Sequence, residues 1–256
     1  MDRRVVLERL DFERRTLVYD GMIKEELAGV TRGRLVNGAQ HWIGYSALND
    51  QTAEGVIPRE IEHHRRLGVA FEWKLFGHDR PGDLKQRLEG HGLRVGESEA
   101  VLVYELRSGG GWIDEKSEVR VDRIERVEQV EDYRRVNKAV YGGDQDPMAD
   151  ELVIAVGAGS KQHVGYVAHA DDGEAVSIGR LYLNPESWFG GLYGGATAPG
   201  YRGRGFYRAL VAARARDAAA AGARYLMVDA RPTSRPILEG LGFEWVTDTW
   251  PCEWSP

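Results

Sequence analysis

The amino-acid sequence predicts an α/β protein: a mixed, mostly antiparallel twisted sheet flanked by helices, in a tandem arrangement whose first copy is degenerate. Three observations carry this expectation. Short apolar runs separated by turn residues recur between residues 152 and 183, an alanine-rich helix follows a glycine turn at 200–205, and the two halves echo one another.

Taken in order, Ala100–Leu106 alternates apolar and polar residues and reads as a strand, after which Ser108-Gly-Gly-Gly-Trp112 reads as a linker. The expected domains are therefore 1–107 and 113–256. Glu118–Val121 reads as a strand, and Val127, Val130, Tyr133, Val136 and Val140 recur near helical spacing. Leu152–Val156, His163–Ala168 and Ala175–Leu183 read as successive strands of an antiparallel meander, with turns at Gly157–Ser160 and Asp171–Gly173. Phe189–Thr197 is the next strand. Its Gly190, Gly191, Gly194 and Gly195 weaken a strand unless another backbone or a ligand comes close. Gly205–Ala221 reads as a helix with Phe206, Leu210 and Ala213 on one face and Gly222 as its stop. A buried strand at Ala223–Val228, a short helix capped by Thr233 or Ser234 and running through Leu238, and a last strand at Glu244–Thr249 complete the chain.

The echo pairs His63–Leu75 and Leu88-Glu-Gly-His-Gly-Leu93 with Asp217–Asp229 and Leu238-Glu-Gly-Leu-Gly-Phe243. Both stretches read helix, Gly, strand, short helix, strand. Nothing before residue 68 matches the arginine and glycine turn of the second half, so only that half is expected to hold an anion.

Composition narrows the functional classes. The 256 residues, 42% apolar and 29% charged, suit a soluble protein of two modest domains, and no apolar run approaches the roughly 18 residues of a membrane helix. The start of the chain lacks the apolar core of a secretory signal, and the single Cys252 cannot form an internal disulfide, so a cytoplasmic protein is expected. A net charge of −6 argues against nucleic acid as a partner and favours a small amine.

The segment Ala196–Val211 carries the chemistry. Pro199 ends the strand, and Gly200, Gly203 and Gly205 permit the positive φ angles that aim consecutive backbone N–H groups at one anion. The helix that follows adds its unpaired amides, and Arg202 and Arg204 add charge-assisted hydrogen bonds. There is no Gly-Lys-Ser/Thr of a nucleoside triphosphate loop. A dinucleotide fold is opposed by Arg208 at its third glycine position and by the short chain remaining for further parallel units. No histidine spacing suits zinc, so no metal is expected, and no Gly-x-Ser-x-Gly elbow is present.

The longer pattern Thr-x-Pro-x-Tyr-Arg-Gly-x-Gly, followed by helix, strand, short helix and Leu-Gly-Phe, resembles the GCN5-related N-acetyltransferase (GNAT) superfamily over residues 113–256, most closely over 189–245. The resemblance implies that Arg202, Gly203, Arg204, Gly205, Phe206 and Tyr207 hold the diphosphate of acetyl-CoA. It also implies that Gly195, Ala196 and Thr197 pair along the pantetheine arm like an added strand, with Ser234 among the cofactor contacts. Two departures stand out. Tyr207 occupies a position where the family has a small residue, and Leu238 stands where many members have the tyrosine that protonates the leaving thiolate.

Acetyl transfer to an amine by direct attack in a ternary complex needs a neutral nitrogen, a polarised thioester carbonyl and a proton for the sulfur. Tyr193, on the glycine-rich strand, is the candidate acid, the alternative being core packing. Glu186 is the candidate base, the alternative being an exposed turn carboxylate. Trp188, Asp144 and Asp146 are candidate acceptor contacts, or else a core ring and turn formers. Asp229 is expected to cap its strand or pair with Arg231, and Cys252 to be a small buried hydrophobe. The alternatives to N-acetyl transfer are a non-catalytic CoA-binding module and other acyl-CoA chemistry on the same fold.

Overall fold

The computed structural model describes residues 1–106, 111–143 and 146–256. The chain divides into two compact units, Met1–Leu102 with Asp229–Pro256, and Val103–Val228. This differs from a division by sequence order at 107–113, because the C-terminal segment packs with the first unit.

The first unit opens with α1 (Arg3–Thr16), whose first N–H groups are capped by the Asp2 carboxylate. Strands β1 (Met22–Leu27), β2 (Val30–Leu35) and β3 (His41–Ser46) pair antiparallel in succession. Helix α2 (Asp50–Leu67) starts at an Asn49–Thr52 capping box and stops at Gly68, whose φ of 68° closes the last turn. It leads to β4 (Phe71–Phe76), parallel to β3, then to α3 (Leu84–Gly90) and the short β5 (Arg94–Val95). The C-terminal α7 (Arg235–Gly240) and β12 (Glu244–Trp254) return to this unit. There β12 pairs antiparallel with β4 through Thr249–Trp254 and with β5 at Cys252 and Glu253. Ala53, Ile57 and Ile61 of α2 bury against Phe71, Trp73 and Leu75 of β4, together with Cys252 and Trp254. This core accounts for the lone cysteine as a packing residue, and burial pushes its thiol up to about 12.

Strand β6 (Glu99–Glu105) leads into the second unit. There β7 (Arg120–Arg123), β8 (His163–His169), β9 (Ala175–Tyr182) and β10 (Phe189–Thr197) form the expected antiparallel meander, and β11 (Tyr225–Ala230) lies parallel to β10. Seven of the eight residues of β9 are buried because helices cover both of its faces. Ile178 packs among Val130, Tyr133 and Leu152 of α4 (Val130–Tyr141) and α5 (Pro147–Gly157), whereas the alternate Gly179 lies against Leu210 of α6 (Phe206–Ala220).

One expectation is corrected. Leu152–Val156 is not a strand but the second half of α5. The run of branched residues imitates a buried strand when read alone. Upstream, Pro147 presets the first helical turn and Asp146 accepts the Ala149 N–H at 3.0 Å, so the helix has propagated before the apolar run begins. The echo between the halves is kept in the order of elements: α2, Gly68, β4 and α3 repeat as α6, Gly222, β11 and α7, with β4 and β11 each parallel to a preceding strand.

Candidate functional site

The site is built where β10 leaves its neighbour. Parallel pairing joins Phe189, Gly190 and Gly191 to Tyr225, Leu226 and Met227 and ends there, although β10 continues to Thr197 on its β9 side. Beyond Gly191 that edge of β10 has no strand partner among the described residues. On the β9 side the register slips between Tyr193, opposite Arg180, and Ala196, opposite Ile178, so Gly194 and Gly195 together face Gly179. Gly194 has a φ of 57°, and a Cβ there would lie 2.9 Å from the Tyr133 hydroxyl. A Cβ on Gly195 would lie 2.9 Å from the Tyr207 ring. The glycines of this strand thus admit a bulge and a tight approach from both faces.

The turn follows immediately. Ser177 holds the strand end, its hydroxyl donating to the Ala196 carbonyl at 2.8 Å and lying 2.7 Å from the Thr197 hydroxyl. Arg202 Nε donates to the Thr197 carbonyl at 3.1 Å, which draws the turn back on the strand. Gly203 and Gly205 have φ values of 74° and 86°, and Arg202–Gly205 are exposed. Arg204 lies over the rings of Tyr201 and Phe206, and buried Phe206 anchors the first turn of α6. Among the described residues no side chain caps α6, and no acidic residue stands in its first turn. Helices α1, α2 and α5 carry side-chain caps, whereas α3, α4 and α7, like α6, do not. The positive end of α6 is left open beside two arginines, an arrangement that recruits an anion.

Beneath the bulge lies a polar cluster that the sequence reading missed. Arg214 of α6 is 1% exposed, donating from Nε to the Leu210 carbonyl and from Nη1 to the Arg180 carbonyl, while its side chain also meets the Tyr207 phenol. Burial lowers its affinity for the proton, and the phenol of Tyr207 is the leading group opposing that. Tyr207 itself is shifted up by burial, with Arg214 opposing. On the other face, Arg180 pairs with Glu151 at 2.8 Å and with the Tyr182 hydroxyl at 3.0 Å, leaving Nε unbonded, and the Tyr133 hydroxyl is also unbonded. Burial pushes Tyr133 up to about 12 despite nearby Arg180, so it is a neutral donor at pH 7. The available signal was periodicity, since Arg214 continues the buried row Phe206, Leu210.

The remaining candidates are spread more widely. Tyr193 is 39% exposed, on the strand just before the bulge, its ring edge-on to Tyr182 at 4.9 Å. Glu186 is exposed in a turn closed by Asn184 Oδ1 accepting its N–H. Trp188 precedes β10, its ring under Arg224 and near Tyr225. Six residues of extended chain, roughly 20 Å, separate Trp188 from Gly194, so neither Glu186 nor Trp188 is brought to the bulge. Asp146 caps α5 through Oδ1, while its buried Oδ2 has no hydrogen-bond partner among the described residues. Asp144 lies outside the described residues. Ser234 and fully buried Leu238 belong to the first unit, where Ser234 Oγ donates to the Arg231 carbonyl. Asp229 pairs with Lys74 at 2.9 Å rather than with Arg231, which reaches Glu99 instead, at 3.4 Å.

Residues 128–243 match the model of the acetyltransferase (GNAT) family. No curated protein matches the chain. Among solved structures, a functionally unknown conserved protein from Staphylococcus epidermidis ATCC 12228 is similar over 93% of this chain and 96% of its own, with a TM-score of 0.66 and 12% identity. A GCN5-related N-acetyltransferase from Kribbella flavida is similar over 99% of this chain and 94% of its own, with a TM-score of 0.61 and 16% identity. A tandem GNAT protein from the clavulanic acid biosynthesis pathway is similar over 93% and 84%, with a TM-score of 0.59 and 10% identity. At these identities the likeness is one of fold.

Proposed function

This chain belongs to the GNAT superfamily through residues 128–243, and from that premise we propose that it is an N-acetyltransferase moving an acetyl group from acetyl-CoA to the amine of a small molecule. The observation that carries the reading is the uncapped N-terminus of α6 set directly after the stretch where β10 has parted from β11. The first suits a diphosphate, held by the backbone of Gly203–Tyr207 with Arg202 and Arg204. The second suits an extended amide-bearing arm, which Gly195–Thr197 would bind by strand addition.

The thioester supplies an activated acyl carbon; this chain's residues position it and manage protons. A neutral amine attacks the carbonyl carbon, the C–N bond forms as the C–S bond breaks, the nitrogen gives up a proton and the sulfur takes one. Leu238 cannot donate that proton. Tyr193 is the proposed donor, since it is the phenol exposed at the bulge, and the partly open strand lets water take the amine proton. Asp146, one of whose buried carboxylate oxygens has no partner among the described residues, is the proposed acceptor contact. A cytoplasmic setting accords with the single buried cysteine.

Calorimetric titration with acetyl-CoA, followed by thiol-release assays against a panel of small amines, tests the reading. Saturable binding with turnover of at least one amine supports it. Binding without turnover of any amine points to a non-catalytic CoA-binding module, thiol release without an amine product points to other acyl-CoA chemistry, and absence of binding overturns all three.

A further inference from the structure

A cavity of about 580 Å³ lies wholly within the first unit, between the outer strands and the last turns of α2. Its walls combine apolar and cationic side chains with one carboxylate, Glu25, which is paired with Arg32. Ile23 of β1 and Leu67 of α2 are exposed at it, an unusual state for large aliphatic residues that share one hollow. Three imidazoles line it in edge-to-face contact, His64 lying 5.6 Å from His41 and 4.9 Å from His63 between ring centres. His64 is stacked on Phe71 and donates from Nδ1 to the Glu60 carbonyl at 2.8 Å.

The charges on the walls differ in how they are used. Lys24 is committed to the carbonyls of Glu13 and Arg14, and Arg32 to buried Glu60 at 2.5 Å and to Glu25 at 3.4 Å. Arg34 has no hydrogen-bond or ion-pair partner among the described residues, and neither have the ring nitrogens of His41 and His63. A guanidinium and two imidazoles therefore face one hollow with their donors unused. A divalent metal ion is disfavoured there by Lys24, Arg32 and Arg34. Among the described residues the one group of ligating side chains close enough to share an ion is Asp11, His78 and Asp79, which already pair with buried Arg14 and with one another. We propose that the cavity is a second ligand site that takes a small carboxylate on an apolar body, the carboxylate on Arg34, His41 and His63 and the body against Ile23 and Leu67.

Proton linkage supports this assignment. Burial holds both His41 and His63 below the ordinary histidine range, helped by Arg34 at His41 and by Arg32 at His63, where Glu60 and Glu25 oppose and Arg66 adds. The remaining groups facing them are Lys24 on β1 and His64, held down to about 4 by burial. An anion restores their proton affinity, so binding takes up protons and tightens as pH falls.

The test is an imidazole 1H–15N NMR titration of the full chain with sodium benzoate at pH 6.5 and constant ionic strength. Saturable movement of the His41 and His63 signals, with those of His91 and His169 unmoved, is expected. So are affinity that falls as pH is raised from 6 to 8 and a weakening of about fivefold or more in Arg34→Gln, a change at an exposed position. Non-saturable or uniform shifts, unaltered affinity in Arg34→Gln, or equal binding of benzylammonium would overturn the proposal. None of these readouts depends on acetyl-CoA binding or turnover.

Discussion

Gly195 shows how a single residue sets the width of the proposed cofactor lane. In much of a strand a glycine is a weakness, but here a Cβ would stand 2.9 Å from Tyr207 Cε2 and 3.6 Å from Arg214 Nη2. The Tyr207 ring fills the space that a side chain at 195 would need. Gly195→Ala is expected to push that ring or lift β10 at its bulge, weakening acetyl-CoA binding by about tenfold. Tyr207→Ala in the same chain should recover most of the loss by reopening the space. Calorimetry on the two single variants and the double variant checks this, and additive losses would show that the two positions do not share one space. The need for small residues at 194 and 195 was legible in the sequence as four glycines in one strand. The reason was not. Tyr133, Arg180, Tyr207 and Arg214 come from three different elements, α4, β9 and α6, and nothing in the spacing along the chain tells that these elements converge on two glycines.

At the scale of elements, α6 is the helix whose sequence and structure agree most closely, and its open N-terminus makes a prediction of opposite signs. Arg204→Glu places a carboxylate at the end of the helix that has no cap and no acid in its first turn. In the free protein this should complement the helix dipole and stabilise by ~0.3–1 kcal/mol. The same charge should repel a diphosphate and weaken acetyl-CoA by well over tenfold. Urea unfolding and calorimetry on one variant measure both. Loss of stability together with unchanged binding would mean that the α6 terminus is not the anion site. α5 is the element the sequence hid, because Leu152–Val156 has strand composition and the deciding signals, the Asp146 cap and Pro147, lie five or more residues upstream. Its buried residues Ala149, Leu152 and Ala155 keep helical spacing once the start is known. The strand pairing that leaves β10 free past Gly191 was likewise invisible, since register depends on where β11 begins after the Gly222 turn and not on composition within β10.

At the scale of the whole molecule, the repeat was legible because helix, glycine, strand and short helix recur with similar residues, whereas the ownership of the last strand was not. Sequence order puts Glu244–Trp254 with the second copy, yet six consecutive residues, Thr249–Trp254, pair with Phe76–Phe71 of the first, and Cys252 and Trp254 lie in its core. A fragment ending at residue 107 would leave β4 with an exposed, apolar edge. A fragment beginning at 113 would carry β12 without the partner that buries it. Neither fragment should therefore fold on its own: each is expected to be aggregated or to lack a cooperative thermal transition by circular dichroism. Mixing the two from denaturant should restore one cooperative transition, because the strand pairing then becomes available between chains. A fragment 113–256 that is monomeric and melts cooperatively alone would show that the last strand belongs with the second copy after all, and that its pairing with β4 contributes little to holding either unit together.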